Sequence, residues 1–297
     1  MAEQFCTISD DVELCYETFG EPSDPALLLV MGLATQMVGW HEDFCAQLAA
    51  RGFLTIRFDN RDIGRSKAQN YPVPTLKQLL MRDKRAAHYT LEHMADDGFA
   101  LLDHLDIERA HVAGVSMGGM IAQTMAARRP ERVLSLASML SNTGALWSGQ
   151  PSPRLYPVLL KAPPRERDGY IDHAAWVFSK IGTPGFPGED LREMAARSYD
   201  RGLNPAGSMR QLAAIIASGD RTPLLRTITA PTVVIHGTAD KLVPVSGGKA
   251  TAKAIPGARL VLIEGMGHDL PRSAWPRMLD AIEETAARVG EGVAGWR

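Results

Sequence analysis

Ser116 stands between two glycines, in Gly114-Val115-Ser116-Met117-Gly118-Gly119. A serine oxygen is a poor nucleophile at its ordinary pKa. It does acyl chemistry only when a base takes its proton and donors hold the oxyanion that results. The glycines meet a steric need, because on a very tight strand-to-helix turn the Cβ atoms two positions either side of the serine would collide. The context fits such a turn. Ala110 to Ala113 is a short apolar run of strand type, and Met120, Ile121, Thr124 and Met125 recur at helical spacing. Strand, G-x-S-x-G and helix together point to a nucleophile, with the helix N-terminus beneath it. The same letters also suit a plain turn, so the reading depends on partners elsewhere in the chain.

The base must be one of eight histidines. His268 closes Glu264-Gly265-Met266-Gly267-His268, a glycine-rich loop just after the apolar run Arg259–Ile263. His111 and His236 fall in predicted buried strands, where structural roles are expected. His41, His88, His93, His104 and His173 fall on predicted helices. The orienting carboxylate is read as Asp240, in Gly237-Thr238-Ala239-Asp240, past the strand that ends at His236. Asp240 also suits a turn aspartate capping the next helix. The loop after the strand ending near Leu140 offers Ser141 and Asn142 and no carboxylate. A tetrahedral oxyanion needs two main-chain donors. One is expected at Met117, after the nucleophile, and the other at Leu33, in the loop after the strand ending at Met31. A loop that merely turns the chain is the alternative at Leu33.

These loops need a frame, and the chain supplies one. Strand-like runs are expected at Phe5–Ile8, Val12–Phe19, Ala26–Met31, Leu54–Phe58, Val133–Met139, Thr232–His236 and Arg259–Ile263, besides the one before Ser116. Helical patterns are expected at Val38–Arg51, Thr75–His88, Glu92–Leu105 and Ala274–Val289. Apolar strands alternating with amphipathic helices indicate a parallel sheet covered on both faces. The alternation lapses between about 143 and 231, where helix-like segments at 169–180, 191–201 and 208–218 are broken by Pro and Gly. The expected layout is a core of 1–142 and 232–297 with a helical cap at 143–231. The apolar cap residues Trp147, Trp176, Phe178, Phe186, Met209, Leu212 and Ile215 suit a hydrophobic pocket and equally suit the cap's own core. The segment 67–89 is placed near the site mouth, and the Gly-rich tail from 290 is expected to be loosely held.

A net charge of −2 and a pI near 6.5 give no electrostatic grip on nucleic acid or an anionic membrane. Cys6, Cys15 and Cys45 lack metal or C-x-x-C spacing and are expected to be reduced, buried and inert. Neither a signal peptide nor a membrane span is read, so a cytoplasmic location is expected, with the oligomeric state left open.

Over roughly residues 10–289 the chain resembles the α/β-hydrolase fold serine hydrolases. The residues that carry the likeness are Val30-Met31-Gly32-Leu33, Asp59-Asn60-Arg61-Asp62-Ile63-Gly64-Arg65-Ser66, Gly114 to Gly119, Gly237 to Asp240 and Gly265 to His268. Within that family it is similar to the aclacinomycin methylesterase-like and bacterial carboxylesterase group. Two positions depart from the common pattern: Met31-Gly32 replaces His-Gly, and Asp62 replaces a glycine. The order Ser116, Asp240, His268 is that of the family's triad. The resemblance implies a serine hydrolase that cleaves a carboxylic ester of a hydrophobic small molecule through an acyl-enzyme on Ser116. It implies an oxyanion hole at Leu33 and Met117, elbow glycines at Gly114 and Gly118, and no metal or organic cofactor. The same fold also hosts thioester hydrolysis, C–C bond hydrolysis and cofactor-free perhydrolysis, and a non-catalytic binding protein is the reading outside enzymology.

Overall fold

The computed structural model describes residues 2–185 and 188–289; Phe186 and the tail from 290 lie outside them. Eight strands form one sheet: β1 (Gln4–Ser9), β2 (Val12–Phe19), β3 (Ala26–Val30), β4 (Leu54–Phe58), β5 (Ala110–Val115), β6 (Val133–Met139), β7 (Thr232–Gly237) and β8 (Arg259–Ile263). Their spatial order is β1-β2-β4-β3-β5-β6-β7-β8. The β1–β2 and β2–β4 pairs are antiparallel and all the others parallel. Every residue of β3, β4, β5 and β7 is buried, as continuous apolar strands covered on both faces require.

The helices are α1 (Glu42–Ala49), α2 (Leu76–Leu80), α3 (Leu91–His104), α4 (Met117–Arg128), α5 (Tyr156–Leu159), α6 (Arg167–Ile181), α7 (Gly188–Arg201), α8 (Pro205–Ser218), α9 (Thr222–Leu225), α10 (Val245–Ala254) and α11 (Trp275–Ala287). The pleat of β3 shows how they are shared out. Leu28 and Val30 face a core completed by Met94 and Phe99 of α3 and Ile121 and Met125 of α4. Leu27 and Leu29 face the other way, onto Phe44 and Leu48 of α1 and Met278 and Ile282 of α11. Alternation within a wholly apolar strand thus builds two cores, one per face.

Chain order sets where the two key loops part. From β3 the chain crosses to β4 on one side, while β5 lies on the other side of β3. The loops after β3 and β5 therefore diverge and leave a crevice at the carboxyl ends of these strands, the ordinary ligand position in an open α/β sheet. Residues 143–231 contribute no strand to the sheet and hold α5 to α9.

Two expected helices are shorter than their patterns. Over 38–51 a 3₁₀ turn at Met37–Gly39 is followed by α1 from Glu42, and His41 caps α1 by accepting the Asp43 N–H through Nδ1 (3.0 Å). The break follows from Arg57, a fully buried cation in β4 that donates to Glu17 and to the Trp40 carbonyl, which takes that carbonyl out of a helix. The 75–88 pattern is likewise only α2 plus a 3₁₀ turn at Lys84–Ala86, interrupted at left-handed Arg82, so His88 lies on no helix. The three cysteines are free and buried, and burial raises the Cys15 thiol to about 12.

Candidate active site

Ser116 leaves β5 with φ 58° and ψ −119°, a conformation L-residues seldom adopt. It is half-buried between two buried neighbours, so the turn presents the hydroxyl. Its N–H donates to Met139 O (2.9 Å), and its carbonyl accepts both the Met120 N–H (3.1 Å) and the Ser141 hydroxyl (2.8 Å). Only glycine fits at the flanks. A Cβ on Gly114 would lie 2.1 Å from Gly118 O, and one on Gly118 would lie 2.0 Å from Val30 O.

Asp240 and His268 stand on neighbouring loops, after β7 and β8. His268 Nδ1 and Asp240 Oδ2 are 2.7 Å apart, with both residues buried. Asp240 Oδ1 accepts the Leu242 N–H (2.9 Å) and Val243 N–H (2.8 Å). One oxygen makes the turn and the other faces the histidine; the expected helix cap is not made, since α10 begins after Pro244 with no side-chain cap. The turn fixes the carboxylate, so the imidazole orientation is set before any substrate arrives. His236, wholly buried, directs Nε2 to Val243 O (2.7 Å) while Nδ1 has no partner, and burial lowers its pKa. It braces the same loop, with Nε2 also 3.7 Å from Asp240 Oδ2. No hydrogen bond joins Ser116 Oγ to His268; such contacts are often open before substrate binds.

The loop after β3 approaches the serine from the other side of the crevice. A Cβ on Gly32 would sit 3.2 Å from that of Ser116. Among the described residues neither Leu33 N–H nor Met117 N–H donates a hydrogen bond, the latter because it opens α4. Two main-chain donors, one after the serine and one next to Gly32 in the facing loop, are thus without partners among the described residues.

Several residues that support these loops escaped the sequence reading. Asn60 donates to Met31 O (2.9 Å) at the start of the Leu33 loop. Asp62, the departure from the family pattern, is left-handed at φ 70° and makes a buried bidentate pair with Arg210 of α8 (2.7 and 2.8 Å). On the histidine side, the His268 N–H donates to Ile181 O (2.8 Å), and Thr183 Oγ1 accepts the Gly267 N–H (2.9 Å). Asp269 holds Thr183 in turn, and burial raises its carboxyl pKa. Asn60 and Met31 are 29 positions apart and the other partners 84 to 148, with no local pattern to mark them. Of the apolar residues at 143–231, Met209 and Leu212 pack beside Leu79, and Ile215 packs on the main core. Trp147 is 82% exposed. Among the described residues no group of three His, Cys, Asp or Glu side chains could hold a metal, and no helix is long and apolar enough to cross a membrane.

Residues 25–271 match the alpha/beta hydrolase fold family. The chain is 30% identical to rhodomycin D methylesterase DauP of Streptomyces sp. (strain C5), over 92% of this chain and 94% of that one. It is 29% identical to 3-oxoadipate enol-lactonase 2 of Acinetobacter baylyi, over 86% of each. Among solved structures, an enol-lactonase from Burkholderia xenovorans LB400 superposes with a TM-score of 0.72 at 25% identity, covering 96% of this chain and 99% of the other.

Proposed function

The chain belongs to the α/β-hydrolase fold family, and from that premise we propose that it is a carboxylic ester hydrolase acting through an acyl-enzyme on Ser116. The observation that carries the proposal is the Asp240–His268 contact at 2.7 Å, at the same sheet edge as the strained Ser116 turn. In this reading His268 Nε2 takes the Ser116 proton as Oγ attacks the acyl carbon, then returns it to the leaving alcohol. Asp240 holds the tautomer and stabilises the imidazolium. The N–H groups of Met117 and Leu33 receive the oxyanion, and a water repeats the sequence on the acyl-enzyme. This chemistry needs no metal or organic cofactor.

Two relatives are named for a methyl ester and for an enol lactone. A lactone is a cyclic ester, so both names imply cleavage of an acyl–oxygen bond. That favours an ester over a thioester or C–C substrate here. The substrate is read as a hydrophobic small molecule, which the apolar make-up of residues 143–231 suits. Residues 143–231 are read as the cap and the remainder as the hydrolase core.

A fluorophosphonate probe followed by peptide mass spectrometry tests the proposal. Labelling confined to Ser116, together with turnover of p-nitrophenyl and methyl esters, is expected. Absence of label with no ester turnover would overturn it in favour of a binding protein.

A further inference from the structure

Helix α8 carries two buried polar residues side by side, and both reach into the core loops. Gln211, with no exposed surface, bridges two of them: Oε1 accepts the Ala34 N–H (3.1 Å) and Nε2 donates to Arg61 O (2.8 Å). The amide stands one way round, since reversal would set NH₂ against an N–H and oxygen against a carbonyl. Ala34 is left-handed, at φ 59°, a conformation that residues with a Cβ take only when the surroundings hold them in it. Leu33 and Ala34 are the two central residues of a turn closed by Thr35 N–H to Gly32 O (3.3 Å), so the geometry of that turn holds the Gly32–Leu33 peptide that carries the Leu33 N–H.

We propose that Gln211 is a positioning residue that fixes the turn at Ala34 from the cap, and with it the direction of the Leu33 N–H, so that the cap completes the oxyanion hole. The inference rests on the reading of Leu33 as an oxyanion donor. The mounting of α8 supports it. Arg210, the adjacent residue, is locked to Asp62, whose other partner is the Tyr89 hydroxyl (2.9 Å). A Cβ on Gly207 would lie 2.0 Å from Asp62 O, so α8 starts in backbone contact with the same loop. Gln36, three residues past Leu33, donates to Ser198 O and Gly202 O on the cap side (both 2.8 Å). The segment 34–36 is thus gripped at both ends by residues from 198–211. An oxyanion donor works only within a few tenths of an ångström of its place, and a grip of this kind supplies that.

The test uses Gln211→Met, which keeps the length and removes the acceptor. With p-nitrophenyl butyrate, kcat should fall about 10- to 100-fold and KM stay within about twofold, a smaller loss than the 10²–10³ for removing a donor outright. Affinity for phenylboronic acid, whose tetrahedral serine adduct fills the oxyanion hole, should fall in parallel with kcat. A purely structural role would lower the unfolding temperature and leave kcat and boronate affinity of the folded protein unchanged, and that result would overturn the inference. If Gln211→Met does not fold, amide hydrogen exchange in the wild type decides: Ala34 N–H must be protected, and free exchange there would overturn it. A wild type that neither takes the fluorophosphonate nor hydrolyses esters would instead remove the proposed function itself.

Discussion

Ser116 pays for its exposure in backbone strain. A conformation such as φ 58°, ψ −119° costs an L-residue about 1–3 kcal/mol. Two substitutions separate strain from chemistry. Ser116→Ala should keep the strain and lose about 10⁶ in kcat if the triad acts as a unit. Ser116→Gly should be equally inactive but more stable than Ser116→Ala. Relief of strain exceeds the 0.5–1 kcal/mol of extra unfolded-chain entropy, leaving a gain of about 1 kcal/mol. Urea unfolding of the pair checks this, and equal midpoints would show that the turn is unstrained. Asp240→Asn keeps an oxygen for the Leu242 and Val243 N–H groups, so the turn should survive. Its NH₂ would then face His268 Nδ1 and favour the wrong tautomer, with an expected loss of about 10⁴ in kcat and little change in binding. Turnover near wild type in a stopped assay would move the acid role to another carboxylate.

At the scale of elements, the joint between α8 and the Asp59–Ser66 loop stands out. Asp62 and Arg210 are buried together, and a buried pair robbed of one member leaves an uncompensated charge costing about 3–5 kcal/mol. Arg210→Met and Asp62→Gly should each destabilise by that order. The double variant should recover most of the loss, because no charge is stranded and glycine tolerates φ 70°. A double-mutant cycle by urea unfolding reads this directly, and additive single effects would mean that the pair does not act as one. Ile215 illustrates a different role for α8. It packs on the main core, so Ile215→Trp should overpack that core by about 1–3 kcal/mol.

For the whole molecule, acid stability should depend on two buried imidazoles whose charged forms burial disfavours. His111, packed against Ser135, has its pKa lowered to about 4 by burial, and His236 shifts the same way. Above the unfolded value near 6.5 neither state binds the proton, and the shift has no effect. Below it the unfolded chain takes up a proton that the folded chain refuses, so stability falls from pH 6.5 towards 4. Between pH 7.5 and 5 His111 alone should remove about 2 kcal/mol. His111→Gln should flatten the wild-type pH dependence of urea stability by about that amount. An unchanged slope would mean that His111 titrates normally in the fold.

Strands β3 to β8 were legible because a parallel sheet demands apolar runs of fixed length, and the sequence carries six of them. The Ser116 turn was legible because its glycines satisfy a steric rule within six residues. Asp240 and His268 were found as loop residues after apolar runs, and the fold brought their side chains within 2.7 Å. What the sequence could not show has one physical character. The α1 break depends on Arg57 needing the Trp40 carbonyl, and the Asp62 departure depends on Arg210 nearly 150 positions away. Gln211 meets Ala34 only because α8 returns across the sheet edge. A hydrogen bond between distant positions leaves no periodicity in the chain. Local sterics and burial patterns are written along the sequence, whereas the partners that hold the loops in place exist only once the chain has closed on itself.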